Sequence, residues 1–117
     1  MSAESNVKNL KPQLERAWSL RVNHKLGDAE TAFSEYLERD PENVHAVYGL
    51  AQVMMEQGRD KDAAKQFKQA IKLIDSGVLG DDELRAGLLR RQALGHIERM
   101  KTGSWDLVSI GNAIPKD

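Results

Sequence analysis

The stretch VHAVYGLAQVMMEQGRDKDAAKQFKQAIKLI, residues 44–74, decides the fold. Asn43 precedes it and supplies a side-chain oxygen suited to cap a helix. The spacing predicts one helix from about Val44 to Gln57. Gly58 then ends it, because glycine alone enters the left-handed conformation without steric cost. Asp60 is placed to cap a second helix over about Lys61 to Ile74. Two helices joined by so short a turn form a hairpin with one apolar side.

The same organisation recurs upstream. A first helix is predicted from about Lys11 to Asn23, with Pro12 near its start, where a missing N–H is harmless. Leu14, Ala17 and Leu20 form its apolar stripe at helical spacing. The segment Lys25-Leu26-Gly27-Asp28 breaks it. Another helix follows from about Asp28 to Arg39, carrying Ala29, Ala32, Phe33, Tyr36 and Leu37. Asp40-Pro41 stops that helix, since proline disfavours helical backbone at the residue before it. A shift of 34 residues superposes Ala17 on Ala51, Asp28 on Asp62, Ala29 on Ala63 and Phe33 on Phe67. It also sets Leu20 on Met54 and Leu37 on Ile71. Small residues recur where helices must approach closely, and large apolar ones where space must be filled.

This pattern resembles the tetratricopeptide repeat family, whose helix–turn–helix unit recurs about every 34 residues. A repeat over residues 44–77 has Leu50 and Ala51 in its first helix, Gly58 at the turn, and Ala63, Phe67 and Ala70 in its second. Asp75 stands where the family usually has proline. A repeat over 10–43 has Ala17, Leu20, Ala29, Phe33 and Pro41. There Arg16 replaces a leucine, His24 the turn glycine, and Tyr36 a small residue. The resemblance implies an all-α, right-handed superhelix of antiparallel hairpins with five to six helices. The alternative is a four-helix bundle of ordinary amphipathic helices.

Residues 1–9 read as a mobile, polar tail, and residues 78–117 depart from the pattern. A fifth helix is predicted from Asp81 or Asp82, whose carboxylates favour a helix N-terminus, to about Lys101. Ala86, Leu89, Ala93, Ile97 and Met100 form its stripe, widened by Leu84 and Leu88. Thr102-Gly103-Ser104 stops it, and Trp105, Leu107, Val108 and Ile110 read as a short apolar helix. Gly103 and Trp105 resemble the turn of a degenerate third repeat, with His96 falling where a small residue belongs. Such a cap is needed because a single hairpin cannot bury its own apolar face. Without it, Phe67, Ile71 and Ile74 would be left partly uncovered.

Composition narrows the function. Of 117 residues, 17 are Lys or Arg and 18 Asp or Glu, a formal net charge of -1. That balance argues against a general binder of nucleic acid or anionic membrane. The absence of cysteine from the sequence removes disulfides, thiolate metal sites and thiol catalysis. No apolar run approaches the ~20 residues of a transmembrane helix. The first residues show no basic region followed by an apolar one. The expectation is therefore a cytoplasmic domain. His24, His45 and His96 have no metal-ligand spacing, and no glycine-rich phosphate loop follows a strand. No enzyme activity, metal or cofactor is expected.

The resemblance implies that the first helix of each repeat lines a concave groove for a peptide or helix. The matching positions are Lys11, Leu14, Trp18, Arg21 and Val22 in one repeat. In the other they are His45, Tyr48, Gln52, Met55 and Glu56. Trp18, Tyr48, Leu14 and Met55 would form an apolar floor, and exposed aromatics of this kind dominate many interfaces. The alternative is that this face is covered by the fifth helix, the tail or a second copy of the chain. The lysine/asparagine clamp with which some members hold a carboxylate is not matched, since Leu14, Trp18 and Gly49 occupy its positions. Lys61, Lys65, Lys68 and Lys72 share one helix face. Asp28, Glu30, Glu35, Glu38, Asp40 and Glu42 concentrate on and after the second helix. Both groups read as solvated surface, with an anionic partner or head-to-tail association as the sharper alternative. The expected function is a small adaptor or scaffold for a protein partner, with homodimerisation through the same face as the alternative.

Overall fold

A computed structural model describes residues 10–80 and 82–102. The anticipated tail and the short helix around Trp105 lie outside the described residues. Five helices follow one another: α1 (Lys11–Val22), α2 (Leu26–Arg39), α3 (Val44–Glu56), α4 (Asp60–Asp75) and α5 (Glu83–Thr102). Among the described residues there is no strand. Each helix packs on its neighbour in sequence, and α1 also touches α3. The arrangement is an all-α array of helix hairpins.

The repeat is written in the backbone as well as in the side chains. α1 closes with Lys25 N–H donating to Leu20 C=O at 2.9 Å, and α3 closes with Arg59 N–H donating to Met54 C=O at 2.9 Å. Between these bonded pairs lie His24, with φ of 62°, and Gly58, with φ of 79°. Lys25 and Arg59 then start the next helices with nearly equal dihedrals, -88°/70° and -94°/69°. This is the left-handed helix stop in which an amide reaches back five residues. Gly77, at φ of 89°, ends α4 the same way, with Val78 N–H donating to Leu73 C=O at 3.4 Å.

The turn geometry corrects two sequence expectations. α2 begins at Leu26, before the Gly27-Asp28 pair that looked like a breaker. The left-handed turn at His24 resets the chain at Lys25, so helical geometry resumes immediately. For the same reason Asp60 is not a cap but the first residue of α4, and Arg59 holds the cap position. Asp60 and Asp62 still place negative charge in the first turn, where the helix dipole favours it. Elsewhere the expected caps form. Asn43 Oδ1 accepts from Ala46 N–H at 3.0 Å, and Asp82 Oδ1 accepts from Arg85 N–H at 3.1 Å.

The core follows the small-and-large pattern. Ala17, Ala29, Ala51 and Ala63 are fully buried, as are Phe33 and Phe67. With no side chain beyond Cβ, the alanines let helices close on one another, and the two rings fill the space between hairpins. A second cluster of Val44, Val47, Ala70, Leu73 and Ile74 is covered by Ala86 and Leu89 of α5. Complete burial of one such large side chain contributes about 1.5–3 kcal/mol.

α5 differs from the first helices of the two repeats. Its fully buried small residue is Ala93, one turn before His96. His96 is not a close-contact position. Its imidazole stacks on Phe67 with centroids 5.0 Å apart and planes at 24°. On its outer side α5 exposes Leu84, Leu88 and Leu94.

Candidate functional site

The residues expected to line a groove lie on α1 and α3, and the structure gives them unequal exposure. Lys11, Val22 and Glu56 are exposed. Leu14, Trp18, Arg21, His45, Gln52 and Met55 are half-buried, and Tyr48 is buried. Leu14, Trp18 and Met55 lean on the main core. Trp18 meets Phe33 edge-on at 5.3 Å. The Arg21 guanidinium lies 5.8 Å from the centre of the Trp18 ring. Its Nη2 donates to Glu56 Oε2 at 2.8 Å, joining α1 to α3. Nε of Arg21 is buried and has no acceptor among the described residues.

Gly49 explains why the indole can settle there. A Cβ at this position would meet Phe33 Cζ at 2.5 Å and Trp18 Cζ2 at 3.1 Å. The position is therefore occupied by two aromatic rings and is unavailable for a polar ligand-holding side chain. This is the packing reason that α3 carries glycine in mid-helix.

Tyr48 was expected on an open floor, but it is only 6% exposed because α5 lies over it. Its ring packs edge-on against Phe67 at 5.4 Å and faces His96 at 6.3 Å. Its hydroxyl donates to Gln92 Oε1 at 3.4 Å. Burial pushes the Tyr48 hydroxyl above its usual pKa, opposed by the charges of Arg21 and Arg99. Burial pulls the His96 imidazole below its usual pKa, and Arg99 and Arg21 act in the same direction. Arg99 Nη2 lies 3.0 Å from His96 Nδ1. Since arginine only donates, that nitrogen accepts, consistent with a neutral ring.

Between α3 and α5 a cleft of about 490 Å³ remains, lined by Tyr48, Gln52, Arg91, Gln92, Gly95, His96 and Arg99. Its walls offer aromatic edges, two side-chain amides and two guanidinium groups. Such a surface can hold a polar segment by hydrogen bonds and charge. Among the described residues that line it, no nucleophile is paired with a base. Among the described residues no group of His, Asp and Glu could hold a metal ion.

The structure does not bring all ten expected residues to one place. Tyr48 and Gln52 meet at the cleft, and Arg21 and Glu56 bridge its α1 side. His45 instead lines a small recess with Asn43 and Leu79, at the other end of α3. Burial lowers its pKa first, and the charge of Arg85 adds to the effect. A further recess of about 430 Å³ lies between α1 and α2, where Arg16 and Arg39 face Glu35 and Glu38. Its mixed charges select no ligand class. Sequence reasoning missed the α5 wall. The signal was present in the alternative that α5 covers the groove, which partly holds: α5 covers Tyr48 and contributes a new side.

A family model described as Tetratricopeptide repeat matches residues 14–77. No curated protein and no solved structure matches the chain significantly.

Proposed function

Because the chain belongs to the tetratricopeptide repeat family, we propose that it is a small adaptor or scaffold that holds a segment of a partner along α1, α3 and α5. Repeats of this family generally mediate protein–protein interaction, and the family is a non-enzymatic repeat module. The supporting observation is the cleft beside Gln52 and Tyr48, which the described residues leave open although α5 packs nearby. Trp18 and Arg21 continue the surface across α1. Trp18 carries structural weight as well, so its removal would test packing and binding together. No described helix is long and apolar enough to cross a membrane, and we assign the protein to the cytoplasm.

Two substitutions separate binding from folding. Val22 is 67% exposed, so Val22→Asp changes the surface at little structural cost. Gln52→Trp would fill the cleft with an indole. A random short-peptide library displayed on phage and selected on the full chain should yield binders. Each variant should weaken those binders about tenfold, or about 1.4 kcal/mol, with an unchanged thermal midpoint. Binders indifferent to both substitutions would overturn the assignment of this surface. A concentration-dependent dimer in sedimentation that is broken by Val22→Asp would favour self-association through the same face.

A further inference from the structure

The outer face of α4 carries a row of uncompensated charge. Lys61, Lys65, Lys68 and Lys72 recur at intervals of four, three and four. On a helix that spacing gathers them within an arc of about 60° and strings them over about 16 Å. All four are exposed, and none makes a side-chain hydrogen bond or ion pair among the described residues. The acids of the same helix are already occupied. Arg59 holds Asp62 at 3.2 Å, and Arg90 holds Asp75 at 2.9 Å. Asp60 stands in the first turn, where it complements the helix dipole. The fold does not ask for the lysines. The 34-residue shift sets their positions on Gly27, Thr31, Ser34 and Glu38 of α2. The buried sides of the two helices match, with Ala29 and Phe33 answering Ala63 and Phe67, while the outer sides differ. Among the described residues that line the cleft between α3 and α5, none belongs to α4, so the row is a separate surface.

We infer that this row docks an acidic helix of a partner protein, whose carboxylates recur at the same intervals of four, three and four. A second helix presents a row of that width and length, and opposite charge fixes its register. A bilayer surface or a nucleic acid is broader. α2 lies beside α4, joined to it by the Arg59–Glu30 pair at 2.8 Å and by Leu37, which packs on the cluster that holds Ala70. The matching row of α2 ends in the exposed Glu38, so a broad anionic surface would meet carboxylate as well as lysine. The row also has no aromatic side chain on which a base could stack. Exposed ion pairs are individually weak, so the contact depends on matching the whole row and weakens with salt.

The test uses the full chain and two fluorescent peptides of one composition, alanine, glutamine and four glutamates, each held helical by a hydrocarbon staple. One peptide carries its glutamates at the spacing of the row, and the other distributes them around the helix. In low salt the first should bind at least about tenfold tighter than the second, and added salt should weaken it. Lys65→Glu together with Lys68→Glu should abolish that binding with an unchanged thermal midpoint, since both side chains are exposed. A third peptide, with lysines in place of the glutamates, should bind the double variant and not the wild-type chain. Equal binding of the two acidic peptides would reduce the row to bulk attraction and overturn the inference, as would no binding in low salt. Binding lost on Gln52→Trp instead of on the lysine substitutions would move the contact to the groove and overturn the row alone. Failure of the groove in the peptide selection would leave the row standing. Phosphatidylserine vesicles or a single-stranded oligonucleotide that bind through Lys65 and Lys68 more tightly than the first peptide would overturn the acidic-helix assignment in favour of a lipid surface or a nucleic acid.

Discussion

An alanine at position 49 would place its Cβ 2.5 Å from Phe33 Cζ. In a free helix that replacement gains about 1 kcal/mol, because glycine is the poorer helix former. Here the ring of Phe33 is fully buried and cannot withdraw. Overpacking of this kind costs about 1–3 kcal/mol. Gly49→Ala should therefore lower stability in urea unfolding, reversing the sign that helix propensity predicts. Tyr36 offers a second test with a sign that can be worked out. It replaces the small residue expected in the first repeat, and its ring is buried. Its hydroxyl donates to Asp40 Oδ2 at 3.0 Å and accepts from Asn43 Nδ2 at 3.1 Å. Burial, then the Asp40 hydrogen bond and charge, push its pKa from 10.0 up to about 12. The folded state thus keeps a proton that the unfolded chain begins to lose near pH 10. The contribution is complete below that pH and falls as pH rises towards 12. Over this window the wild-type chain should lose more stability than Tyr36→Phe. Equal slopes in urea midpoint against pH would show that this hydroxyl is not held as described.

At the scale of elements, the turns were the most legible feature and also the place of the sharpest error. Gly58 announced its left-handed turn by being glycine. His24 did not, because a histidine at φ of 62° carries no compositional sign of that conformation. Only the 34-residue alignment made it suspect, and α2 accordingly starts two residues earlier than its breaker-like sequence suggested. A left-handed residue with a Cβ costs about 1–2 kcal/mol, partly offset because glycine leaves the unfolded chain freer. His24→Gly should stabilise the protein by about 0.5–1 kcal/mol, read as a raised urea midpoint with unchanged slope. The helical faces of α1 to α4 were legible because their contacts are between near neighbours in sequence, set by alanine and phenylalanine at fixed spacing. The wall made by α5 was not. Its apolar stripe, Ala93 included, could be read from helical spacing and is buried or half-buried as expected, but the stack of His96 against Phe67 could not, because counting back from Gly103 only set His96 where a small residue belongs. Tyr48 was read as open for the same reason, since nothing in its own helix records what α5 brings over it.

For the molecule as a whole, α5 covers apolar surface that the second hairpin leaves open. His96 covers Phe67, and Ala86 and Leu89 cover the cluster that holds Leu73 and Ile74. A chain ending at Ser76 would give these residues back to water. Partial exposure of three large side chains amounts to about 3 kcal/mol or more, against a total of about 5–15 kcal/mol for an ordinary domain. The shortened chain should unfold at a much lower urea concentration and with a shallower slope, because less surface changes exposure. A chain ending at Thr102 keeps α5, so comparing it with the chain ending at Ser76 isolates the contribution of this helix from that of the residues beyond it. The two truncations also bear on the cleft, since Arg91 and Arg99 reach it only while α5 is docked. If the chain ending at Ser76 kept the midpoint and slope of the full protein, α5 would be an appendage, and both the cap and the cleft would lose their physical basis.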